Sequence, residues 1–197
     1  MKKLSTTTWK NRNYDMLCVA QREAIKRGLY RPVIAEYGPG GAVGFLLNYL
    51  YEGPRKNGSQ PKSIGRGAVK IFETVLRRTG FFTLETCEPI ELMNLFQELS
   101  PQVLYVIDGE QKVIDAVKRL PSSGVPVVCE TLDVENRCNY PPADIVIAYN
   151  IVERTSDHAA SLAHIAGSVN YGGLLSTTFR QPPKNFTAVS EGLYVRS

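Results

Sequence analysis

Histidine, tryptophan and methionine are scarce in this chain, at two, one and three residues among 197. Its four cysteines, Cys18, Cys87, Cys129 and Cys138, are scattered, with no CxxC pair and no histidine close by. Zinc-ligand spacing is therefore absent, and no metal site is expected. Free thiols of this kind suit a reducing cytoplasm, the expected compartment. No apolar run approaches the roughly 18 residues that a membrane-spanning helix needs, so no membrane partner is expected. The beginning, "MKKLSTTTWKNRNYD", is basic but has no apolar stretch behind it, and does not read as a secretory signal. Internal repeats are also lacking.

What is present suffices for one buried core. Hydrophobic residues make up 43% of the chain, which reads as a single domain over 1–197. The net charge of +4 hides an uneven distribution. Residues 1–80 carry 15 basic and 5 acidic side chains, whereas residues 81–197 carry 8 and 14. Such a division marks a polyanion-facing region, or only the halves in which solvated faces happen to fall.

In "YDMLCVAQREAIKRG" the apolar residues Met16, Leu17, Val19, Ala20, Ala24 and Ile25 recur at helical spacing, and Gly28 is a natural stop. Residues 1–31 are thus an N-terminal helix or lid, in which Tyr14 is either a core residue or a cover for a ligand. "RPVIAEY" reads as a short buried strand and "GAVGFLLNYLY" as a helix. Between 52 and 102, an exposed loop rich in Gly, Pro and Lys/Arg precedes the helical pattern "AVKIFETVLRRTG", a short strand "FFTLET" and the helix "PIELMNLFQEL". This stretch is a basic loop plus a largely helical insertion. Regular alternation follows: strand "VLYVID", helix "EQKVIDAVKRL", strands "VPVVCE" and "ADIVIAY", helix "SDHAASLAHIAGSV" with Ser156 as candidate N-cap, and strands "GGLLSTTF" and "EGLYVRS". The pattern predicts an α/β domain with a doubly wound, mostly parallel sheet covered on both faces.

In such a sheet, ligands sit beyond the carboxyl ends of the strands, near the switch in strand order. "AEYGPGG" occupies that position. Its glycines let the backbone turn sharply and approach a ligand, and the helix behind offers unpaired N–H groups. A P-loop would need a Lys-Ser/Thr pair after the glycines, and none follows. The dinucleotide fingerprint would need a third glycine where Val43 stands. Further along, Asp108 closes a strand, where a carboxylate can accept hydrogen bonds from both hydroxyls of a ribose.

Taken together, these segments resemble the class I (Rossmann-like) S-adenosylmethionine-dependent methyltransferases. "IAEYGPGG" looks like their first motif, an acid, one residue, then Gly-x-Gly. "VIDGEQKVIDAV" looks like the second strand with its terminal acid. "ADIVIAYNIVER" is similar to the fourth-strand segment, and "SDHAASLAHIAGSVNYGGLLSTT" to the following helix, paired-glycine turn and fifth strand. The likeness covers residues 33–51 and 103–179, in the family's order.

The resemblance implies a Rossmann-like methyltransferase fold and S-adenosylmethionine as the methyl donor. Glu36, Tyr37 and the Gly38–Gly40 backbone would face the donor's methionine end. Asp108, followed by Gly109, would take the ribose hydroxyls, and Asp133 the adenine amino group. Asn150 would lie beside the methionine moiety. Glu153 and Tyr149 are the candidates on the catalytic side, with no diagnostic general base among them. Several features depart from the family pattern. Ala42 replaces a glycine, and residues 52–102 lengthen the path to the second strand. If "FFTLET" were that strand, Glu85 rather than Asp108 would meet the ribose. Only "FTAVSEGLYVRS" remains for the closing antiparallel hairpin, so the C-terminal end is expected to be abbreviated. The seven basic and two acidic residues of 52–80 suit an anionic acceptor, a small metabolite or a nucleic acid. A fold retained for binding without turnover is the alternative, and a nicotinamide-dependent oxidoreductase is a second.

Overall fold

The structure, a computed structural model, describes residues 6–38, 95–118, 124–136, 141–149 and 151–197. Helix α1 spans Thr6–Lys26. Strand β1 (Val33–Tyr37) follows, then β2 (Val103–Asp108), α2 (Gln111–Val117), β3 (Val127–Thr131) and β4 (Ala143–Ala148). Helix α3 (His158–Gly167) leads into β5 (Val169–Thr177), β6 (Phe186–Ser190) and β7 (Leu193–Arg196).

The strands form one seven-stranded sheet in the order β3-β2-β1-β4-β5-β7-β6. Strands β1 to β5 pair in parallel, and β7 runs antiparallel to both β5 and β6. Glu36 of β1 stands beside Val106 of β2 and Ile147 of β4. The same row continues through Ser176 of β5 to Leu193 of β7. Paired residues on neighbouring strands face the same side of a sheet, so this row is one face.

Alternation along each strand explains the two cores. Ile34, Leu104, Ile145, Ile147 and Leu174 turn to one side, where Leu17, Ala20 and Ala24 of α1 and Val113, Ile114 and Val117 of α2 cover them. Ala35, Tyr37, Val146, Ala148 and Leu175 turn to the other, against Leu162, Ile165 and Ala166 of α3. Burial on both faces is why β1 and β4 are near-continuous apolar runs. Each fully buried Leu or Ile contributes roughly 1.5–3 kcal/mol relative to exposure. Asp144, near the start of β4, ties the strand origins together. Its Oδ2 accepts from the Val33 amide at 2.8 Å and its Oδ1 from the Asn170 side-chain amide at 2.8 Å.

Some sequence expectations shift. Helix α1 begins at Thr6, ahead of the apolar stripe, because extending an existing helix costs little once it is nucleated. The N-cap of α3 is Asp157, whose side chain accepts from the Ala160 amide, and Ser156 is bound instead by Glu135. The paired glycines Gly172 and Gly173 do not precede the fifth strand but lie within β5, where its register with β4 shifts. "FTAVSEGLYVRS" supplies both β6 and β7, so the short C-terminal stretch still completes a hairpin. The segment from 39 to 94, with most of the insertion and Glu85, lies outside the described residues. Among the described residues, no helix is long and apolar enough to cross a membrane.

Candidate functional site

From β1 the chain visits β2 on one side and β4 on the other, so the switch in strand order falls at the carboxyl end of β1. Gly38 stands at that end with φ of +63°, and its amide donates to the Ile107 carbonyl at 2.8 Å. A Cβ added there would lie 2.7 Å from Ile151 Cδ1, closer than real side chains approach. The loops after β1 and β4 therefore meet, and a side chain at Gly38 would have to displace Ile151.

Glu36, 1% exposed, lies one residue before the end of β1. Asp108 ends β2, 8% exposed, two residues beyond the partner of Glu36. The two acids thus share a face of adjacent strands. A rise of about 3.3 Å per residue and a strand spacing of about 4.8 Å put their Cα atoms roughly 8 Å apart. Asp108 Oδ1 accepts from the Glu110 amide at 2.8 Å, which holds the carboxylate at the tip while Gly109 turns the chain. Opposite β4, the neighbour of β1 is the strand of residues 103–108, which ends in Asp108.

The loop after β3 approaches the same edge, since the Leu132 amide donates to the Asp108 carbonyl at 3.0 Å. Asp133 is exposed and closes a turn, accepting from the Glu135 amide at 2.9 Å and from Asn136 Nδ2 at 3.0 Å. Glu135 in turn grips Ser156, accepting from its amide at 2.5 Å and its hydroxyl at 2.7 Å. Those two bonds hold the Glu135 carboxyl below its ordinary value. His164 of α3 adds a second tie, its Nδ1 3.0 Å from the Val134 carbonyl oxygen.

The remaining sequence candidates differ in placement. Tyr37 is buried on the α3 face, and its hydroxyl donates to Ser168 Oγ at 2.9 Å, so its ring belongs to the core opposite Glu36. Tyr149 is buried just past β4, its hydroxyl 2.7 Å from Ser176 Oγ. Glu153 is exposed in the short turn Val152–Arg154. Gly40 and Asn150 lie outside the described residues. Sequence reading passed over Ser176, Ile151 and Glu135. The signal for Ser176 was there: in "GGLLSTTF" it follows Leu174 at period two, a hydroxyl on a buried apolar face.

A parallel sheet in the order β3-β2-β1-β4-β5, closed by an antiparallel β7 inserted between β5 and β6, decides the architecture. This is the Rossmann-like methyltransferase fold. Among solved structures, the N-methyltransferase NodS from Bradyrhizobium japonicum WM9, in complex with S-adenosyl-L-homocysteine, is similar with a TM-score of 0.44 at 11% identity, over 85% of this chain and 59% of that one. StiE O-MT is similar with a TM-score of 0.40 at 15% identity, over 70% of this chain and 52% of that one. The chain spans between half and two thirds of the length of these structures. No protein-family model matches it, and comparison with curated proteins finds no match.

Proposed function

We propose that the chain binds S-adenosylmethionine across the carboxyl ends of β1, β2 and β3 and transfers its methyl group to an acceptor. One observation carries this reading: two buried acids, Glu36 and Asp108, on one face of adjacent strands, beside a glycine turn at the switch in strand order. The residues fit such a donor. Glu36 offers a carboxylate to the ammonium of the amino-acid end, and the Gly38 turn leaves room for backbone approach. Asp108, held at the strand tip by the Glu110 amide, is a carboxylate of the kind that accepts from ribose hydroxyls. The Asp133 turn, held by the Glu135–Ser156 bonds, stands at the adenine side.

The donor supplies a methyl carbon already activated by a positively charged sulfur. The acceptor's lone pair forms the new bond as the carbon–sulfur bond breaks, and that electron pair stays on sulfur. Any proton on the acceptor leaves to solvent. What the protein contributes is alignment and exclusion of water. A pair of fixed carboxylates on a rigid sheet serves alignment, because strands hold their side chains more closely than loops do.

Isothermal titration of the full chain with S-adenosylmethionine, its demethylated product and NAD tests the reading. Heat with the first two and none with NAD is expected. Asp108→Ala should weaken donor binding at least about tenfold, the loss of a charge-assisted pair of hydrogen bonds. No heat from either sulfur ligand would overturn the proposal. Transfer of a labelled methyl group to a cell extract would then find the acceptor.

A further inference from the structure

The face of the sheet turned away from Glu36 is covered unevenly. Among the described residues, α3 is the one α-helix packed on it. Strand β5 passes to β6 through residues 178–185, which contain no helix. A cleft of about 600 Å³ is left between α3 and this connection. Leu162, Ala163 and Ala166 of α3 form one wall, and Phe179, Pro183 and Phe186, all half-buried, form the other. Its size and its apolar, aromatic lining are those of a cleft that holds a small organic ligand.

The polar groups of the rim are basic. Lys184 and Arg196 line the cleft with His158, and among the described residues no carboxylate does. Arg196 is held where α3 ends: its Nη1 donates to the Gly167 carbonyl at 3.2 Å and to the Val169 carbonyl, and its guanidinium lies 4.9 Å from the centre of the Tyr171 ring. Both hydrogen bonds leave from Nη1, and among the described residues the donors on Nε and Nη2 have no acceptor. Lys184 lies two residues before Phe186, the strand partner of Arg196, so both cations belong to one end of the hairpin. Lys184 is exposed and forms no ion pair among the described residues. Two acids flank the cleft in sequence, and both are engaged away from these cations. Asp157 accepts from the Ala160 amide at the other end of α3, and Glu191 pairs with Arg180 at 3.2 Å. The residues outside the described set carry eleven basic and five acidic side chains, an excess of the same sign.

We propose that this cleft binds a small aromatic acid. Its ring lies between α3 and the side chains of Phe179 and Phe186, and its carboxylate meets Lys184 and Arg196. Aromatic walls favour a flat ring, and a guanidinium beside an ammonium favours an acid group at its end. The site faces away from Glu36 and Asp108, so it stands independently of the methyl-transfer reading.

The test is isothermal titration of the full chain with 2-naphthylacetate and with 2-(2-naphthyl)ethylamine, its cationic counterpart. The acid should bind saturably and at least about fivefold tighter than the amine. Lys184→Gln should weaken the acid about fivefold, and Ala163→Trp, which fills the cleft from α3, should weaken it at least about tenfold. Both positions are exposed, and thermal unfolding checks that each variant is folded. If Ala163→Trp does not fold, Ala163→Glu sets a carboxylate in the same wall and should weaken the acid likewise. No saturable binding of the acid, equal or tighter binding of the amine, or unchanged affinity in either folded variant would overturn the proposal. The readout needs no methyl donor. Acid binding without donor binding would sink methyl transfer alone, and donor binding without acid binding would sink this inference alone.

Discussion

Gly38 adopts φ of +63°, a conformation that costs a residue with a side chain about 1–2 kcal/mol, and Ile151 fills the space a Cβ would need. Gly38→Ala is expected to lower stability by about 1–3 kcal/mol and to weaken donor binding by pushing the β1 and β4 loops apart. Thermal unfolding and titration check the two effects separately. A variant that binds the donor normally would take the turn out of the site. Tyr37 supplies the contrast. It neighbours both Glu36 and Gly38 in sequence, yet its hydroxyl bonds Ser168 on the opposite face. Tyr37→Phe should cost about 1 kcal/mol in denaturant unfolding and leave donor affinity unchanged. The acids at the strand tips were legible in the sequence because strand ends and alternation are local. The same alternation turns Tyr37 away from Glu36, onto the opposite face.

At the scale of elements, an exposed side chain ties the loop after β3 to the segment that leads into helix α3, beside the contact of His164 with the Val134 carbonyl. Glu135 accepts two hydrogen bonds from Ser156, 21 residues away, and its carboxyl is held below the ordinary value by them. A depressed carboxyl pKa stabilises the fold above the unfolded value of about 4.3, and that contribution is lost as pH falls through the folded value. Denaturant midpoints should therefore drop below about pH 4.5 more steeply in the natural chain than in Glu135→Gln. Matching pH profiles would show that the latch contributes nothing. The same pair explains the misplaced cap. Ser156 and Asp157 are both good N-cap residues, and adjacent good caps cannot be ranked from local chemistry. The tertiary partner of Ser156 leaves Asp157 to bond the Ala160 amide.

Across the whole molecule, the β6–β7 hairpin is pressed onto both the sheet and α1. Gly192 has φ of +73°, and a Cβ there would lie 2.4 Å from the Thr177 carbonyl oxygen and 2.6 Å from Met16 Cε. Neither the strand backbone nor the turn can yield without unpairing β7. Gly192→Ala should cost roughly 2–4 kcal/mol in unfolding, since overpacking adds to backbone strain. It should also move the Met16 methyl resonance, because that methyl group would meet the added Cβ. Wild-type stability together with an unmoved resonance would show that the hairpin is not seated this way.

Alternation of strand and helix, the apolar periods within each, and the acid–glycine pattern after β1 are local properties, and by themselves they determined the class of fold and the positions of Glu36, Gly38 and Asp108 at strand ends. The remaining decisions needed partners distant in the chain. Asp144 joins Val33 and Asn170, Tyr149 meets Ser176, and Ile151 closes over Gly38. Such pairings depend on strand order and register. A hydrogen bond or close contact forms only where the folded sheet brings two groups within about 3 Å, and no local propensity encodes that distance.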